Sequence, residues 1–112
     1  MSETIFYKRE TYKFVDVITE NKIYVEYEEF HNPEYEFPIE VSISSKLKDT
    51  PVKVFFNKCF ELQRREEAII LFNKIVETHK IIADENYNQQ VIFEKEESTI
   101  IKKGFKNETN KK

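Results

Sequence analysis

Phe37-Pro38-Ile39-Glu40-Val41-Ser42-Ile43-Ser44 is the stretch that decides how this chain is read. Phe37, Ile39, Val41 and Ile43 alternate with Pro38, Glu40, Ser42 and Ser44. A period of two sends successive side chains to opposite sides of an extended backbone, so the stretch predicts a half-buried strand. Pro38 cannot donate to a ladder and suits the start or edge of that strand.

Working outward, the same period recurs upstream. Ile23, Val25 and Tyr27 alternate with Tyr24, Glu26 and Glu28, and Asn32-Pro33 marks a loop before the central strand. Tyr12 to Ile18 predicts an earlier strand, joined through the polar turn Thr19-Glu20-Asn21-Lys22 in a hairpin. Downstream, Asp49-Thr50-Pro51 breaks the pattern and two readings compete. Thr50 and Pro51 fit the cap and first residue of a helix, but Val52, Val54, Phe55 and Phe56 are β-branched or aromatic and favour a strand.

From Arg64 to Lys80 the period changes. Ala68, Ile69, Phe72, Ile75, Val76 and His79 fall three and four apart, which predicts an amphipathic helix. Glu66 and Glu67 near its start and Lys80 near its end match the helix dipole. Asp84 to Asn88 reads as a loop, and Gln90–Lys95 with Thr99–Lys103 as a second hairpin across Glu96-Glu97-Ser98. The expected fold is α+β, a mainly antiparallel sheet of about five or six strands with one helix on one face, in the order ββββαββ. Residues 1–103 form the single domain and 104–112 a polar, basic tail.

The chemical inventory is short. Gly104 is the one glycine, so the glycine-rich loops that cradle phosphates are missing. Cys59, His31 and His79 are all the cysteine and histidine in the chain, fewer than the four ligands of a structural zinc site. Cys59 and His79 form a thiolate–imidazole pair only if the fold joins them; otherwise they read as a small core residue and a helix-end residue. His31, with Glu28, Glu29, Glu34 and Glu36 nearby, has the donor types of a divalent-cation site but reads as a loop histidine. No cofactor is expected, and an enzyme is the less favoured class.

Charge is uneven. No lysine or arginine lies between Lys22 and Lys46, a span holding Glu26, Glu28, Glu29, Glu34, Glu36 and Glu40 with Tyr24, Tyr27 and Tyr35. Clustered carboxylates steer encounters and tyrosine gives contact area at low entropy cost. Glu26, Glu28, Glu29, Glu34, Tyr35 and Glu36 are therefore the expected contact region of a protein-binding module whose partner has a basic surface. The structural alternative is a solvated strand edge with Tyr27 and Phe37 in the core. A second functional reading uses Lys8, Arg9 and Lys13, interleaved with Phe6, Tyr7, Tyr12 and Phe14, to bind nucleic acid; the net charge of −3 opposes it.

The N-terminal residues lack a basic start and apolar run, and apolar runs fall far short of the ~20 residues of a membrane span. The expectation is a cytoplasmic protein that does not cross membranes. The abundance of Lys, Ile, Asn, Phe and Tyr, all read from A/T-rich codons, points to an A/T-rich genome, which low-GC bacteria, their phages or plasmids and some eukaryotes fit; a phage or mobile element is the more specific expectation. An inhibitor of a host system is one specific form of the protein-binding reading. An exposed sheet edge or face is also compatible with a homodimer.

Overall fold

The structure, a computed structural model, describes residues 2–31 and 36–103. Five strands form one antiparallel sheet: β1 (Ser2–Asp16), β2 (Lys22–His31), β3 (Ile39–Lys46), β4 (Lys53–Phe60) and β5 (Gln89–Lys103). Their spatial order is β4-β3-β2-β1-β5. A short 3₁₀ turn (Leu62–Arg64) leads from β4 into α1 (Arg65–Asp84). Because β4 and β5 occupy opposite edges, α1 must cross the sheet to connect them. The α+β class, the antiparallel sheet and the single packed helix agree with the sequence reading.

Side-chain alternation decides which face the helix covers. Phe14 of β1, Val25 and Tyr27 of β2, Ile39 and Val41 of β3 and Phe60 of β4 are buried on one side. In the ladders Phe14 is paired with Ile23, Tyr27 with Val41, and Ile39 with Phe60, so these residues share a face. Ala68, Phe72 and Val76 of α1, spaced by four, supply the opposing stripe, with Ala83 one turn beyond the expected helix end. The Phe72 ring lies 5.7 Å from Tyr27 and 6.0 Å from Tyr12, centroid to centroid, and so closes the core over the middle of the sheet.

Three expectations need correction. The second hairpin does not form, and the order is ββββαβ. β5 runs unbroken, with Arg9 opposite Glu96 and Lys8 opposite Glu97. The charges that look like a turn in isolation are matched across the ladder, and Arg9 reaches Glu96 at 2.9 Å. Phe37 lies before β3 and is 53% exposed, while Ile39 and Val41 are buried. The stretch around Thr50–Cys59 is a strand, but Phe55 is an extra residue in it: Ile43 pairs with Phe56 and Ser44 with Val54. This bulge changes the alternation, setting Val54 on the side of Ser44 and Phe56 on the side of Ile43, and Val54, Phe55 and Phe56 are all exposed.

With no glycine in either of two tight turns, polar residues take the left-handed positions. Glu20 and Asp49 adopt left-handed backbone angles, φ 66° and 63°. The Asp16 carboxylate secures the first turn by accepting from the backbone amides of Ile18 and Thr19 at 2.9 and 3.0 Å. Those amide bonds, led by Thr19, hold its carboxyl below the usual value. The 104–112 tail lies outside the described residues. Among the described residues no helix is long and apolar enough to cross a membrane.

Candidate functional site

The expected contact residues are divided by the pleat. Glu29 shares the helix-side parity of Val25 and Tyr27 and is buried, at 2% exposure. Its carboxylate accepts from the Tyr27 hydroxyl, from Arg65 Nε at 3.1 Å and from Arg65 Nη2 at 3.0 Å. His31 Nε2 lies 2.7 Å from its other side. Burial raises the Glu29 pKa, but the bonds from Tyr27, Arg65 and His31 outweigh it and leave the group below its ordinary value. The Tyr27 phenol moves up, through burial first and the Glu29 bond second. This cluster fastens the first residue of α1 to β2 and holds the Glu29 carboxylate inside the fold, at its join with the helix.

Glu26 and Glu28 point the other way, onto the face left uncovered among the described residues. Thr11, itself only 5% exposed, donates to Glu26 at 2.9 Å, and the Tyr7 hydroxyl donates to Glu28 at 3.1 Å. Burial and then the Glu28 bond raise the Tyr7 pKa. Glu36 is exposed in the connection before β3. Glu34 and Tyr35 lie outside the described residues.

The uncovered face holds an open trough of about 800 Å³ that draws residues from all five strands. Along β1 and β5 it is bounded by ion pairs: Arg9 with Glu96, and Lys13 with Glu94 at 2.9 Å. Tyr24 and Glu26 of β2 and Glu40, Ser42 and Ser44 of β3 contribute its centre. On the β4 side, Val52 and Val54 add exposed apolar surface, and Asn57 donates to Glu40 at 2.9 Å. The trough therefore combines hydroxyls, one phenol, paired charges and an apolar margin, a mixture suited to contact with another macromolecular surface. Sequence reasoning missed Asn57 and Glu94, and it singled out Arg9 and Lys13 for nucleic acid without placing them here, because nothing local indicates which residues the ladder will bring beside Glu26 and Glu40.

The other chemical expectations separate in space. Cys59 is exposed on the uncovered face. His79 packs its ring 5.4 Å from Phe14 on the helix side, with Nδ1 3.0 Å from the Ile75 carbonyl. The sheet lies between them, so no dyad forms, and Cys59 is not the core residue expected from its type. Burial, followed by the nearby Glu40 charge, pushes its thiol pKa up, the wrong direction for a reactive thiolate. Among the described residues no group of three or more His, Cys, Asp or Glu is placed to hold a metal ion.

The lysine–aromatic strand is also divided. Phe14 enters the core and Tyr12 packs beside it, whereas Tyr7 faces the uncovered side. Lys8 pairs with Glu10 at 3.3 Å, Arg9 with Glu96, and Lys13 with Glu94. Each of these cations is thus committed to a carboxylate. Comparison with protein-family models, curated proteins and solved structures finds no match to this chain.

Proposed function

We propose that this chain is a non-enzymatic protein-binding module that meets its partner with the uncovered face of the sheet. The observation that carries the reading is the one-sided packing: α1 covers one face, while the opposite face presents a trough of about 800 Å³. Two features support a protein partner. The trough places exposed Val52 and Val54 beside Tyr24 and a set of hydroxyls, and apolar and aromatic surface of this kind anchors protein interfaces. Glu28 and Glu40 have neutral donors, Tyr7 and Asn57, and no cation within ion-pair distance among the described residues. They are available to the basic groups of a partner.

Of the expected acidic contact region, this reading keeps Glu26 and Glu28 on β2 and adds Glu40 on β3. Ser42→Arg places a long side chain in the trough, whereas Glu77→Arg alters the exposed surface of α1 as a control. A protein retained from native-host extract by wild type and by Glu77→Arg should be lost with Ser42→Arg, with both variants melting near the wild type. Equal retention by all three proteins contradicts the assignment of the binding face.

A further inference from the structure

The β2–β3 ladder places like charges directly opposite one another at both of its ends. Lys22 faces Lys46, and Glu28 faces Glu40, all on the uncovered side. Directly opposed like charges destabilise an antiparallel pair. None of the four makes an ion pair among the described residues. Arg9, level with Glu28 on β1, is turned to Glu96 at 2.9 Å and Glu26 at 4.0 Å. The face consequently has a positive pole and a negative pole, six residues or about 20 Å apart at strand spacing.

We propose that the partner of this face is a second copy of the same chain, packed sheet against sheet with its strands reversed. This rests on the reading of the uncovered face as a binding surface. A two-fold axis between the sheets and perpendicular to the strands brings Lys22 and Lys46 of each copy over Glu28 and Glu40 of the other. Tyr24 then meets Glu26, and Ser42 meets Ser44. Such an isologous contact requires self-complementarity, which the two like-charged pairs supply.

The size is adequate. Five strands about 4.8 Å apart and the ten residues of β2 at about 3.3 Å each give a face of about 24 by 33 Å. That is roughly 800 Å² per copy, the share of a standard stable interface. Pairing through the β4 edge is disfavoured because the Phe55 bulge interrupts that strand.

Analytical ultracentrifugation of charge-exchanged variants tests the contact. Wild type should sediment as a dimer at low salt. The variants Glu28→Lys/Glu40→Lys and Lys22→Glu/Lys46→Glu should each be monomers, their dissociation constants raised at least about a hundredfold. An equimolar mixture of the two should sediment as a heterodimer, because the all-positive and all-negative faces match. Circular dichroism verifies that each variant is folded. The milder Glu28→Gln/Glu40→Gln variant should weaken the dimer without adding repulsion. Raising salt from about 0.01 to about 1 M, which shortens the screening length from about 30 to about 3 Å, should dissociate the wild type.

A wild-type monomer, a dimer that survives both charge variants, or a mixture of folded variants that stays monomeric overturns the second-copy assignment. If the wild type is monomeric while Ser42→Arg still loses a captured protein, the binding face stands with a different occupant. A dimer unaffected by Ser42→Arg counts against the face itself.

Discussion

Removing either half of the Glu29–Arg65 pair should destabilise the fold, but by unequal amounts. The Glu29 side chain is 2% exposed and that of Arg65 is 45% exposed. Arg65→Met leaves a carboxylate in the interior with Tyr27 and His31 as its remaining hydrogen-bond partners among the described residues. Stripping a buried charge of its partner costs about 3–5 kcal/mol, and these remaining contacts place the expected loss at about 3 kcal/mol. Glu29→Gln leaves a guanidinium that can turn into solvent, and the amide oxygen still accepts from Tyr27. Its expected cost is about 1–2 kcal/mol, the difference between charge-assisted and neutral bonds.

The double variant should cost less than the sum, with a coupling of about 1–2 kcal/mol. Urea unfolding at fixed protein concentration reads all three values, with midpoint shifts at unchanged slope. If Glu29→Gln is as costly as Arg65→Met, or if the two losses simply add, the buried-charge reasoning is refuted.

Four further outcomes follow from the same geometry. Glu29 is held below its ordinary pKa of 4.5, so its contribution is complete above that pH and fades as pH falls through the lower folded value. The stability gap between wild type and Glu29→Gln should therefore shrink on acidification, and a gap that widens contradicts the assignment. Phe72, 3% exposed between Tyr12 and Tyr27, should cost about 3–5 kcal/mol when changed to alanine; a loss below about 1.5 kcal/mol on the same urea curve counts against its place in the core. Cys59→Ala should change stability by less than about 0.5 kcal/mol, as an exposed site does. The wild-type thiol should alkylate more slowly at neutral pH than an unstructured cysteine, and faster alkylation speaks for a site the fold does not contain.

Much of the fold was legible because it rests on local period. The alternation through Phe37–Ser44 and Ile23–Glu28 identified β3, β2 and their buried faces, and the three–four spacing from Ala68 to Val76 identified the helix. Glu29 was misread as a contact residue, although it continues the inward parity of Ile23, Val25 and Tyr27. What obscured it is that burying a carboxylate depends on Arg65, 36 residues away.

β5 was misread for a related reason. Its Glu94–Glu97 stretch looks like a turn until Lys13, Arg9 and Lys8 lie beside it, and register between residues 81 or more apart leaves no local trace. The Phe55 bulge likewise reverses the faces expected at the start of β4. The trough is a product of register, so the strands that supply it could be read individually but their meeting could not.

The most direct test of the binding face is site-specific photocrosslinking. A benzophenone carried on Ser42→Cys in a Cys59→Ser background places the probe in the trough; one carried on Glu77→Cys in the same background places it on the outer surface of α1. Irradiated under native conditions, the probe at position 42 should give a discrete adduct with another polypeptide, a second copy or a different chain, and the probe at 77 none. Adducts from 77 with none from 42 contradict the account.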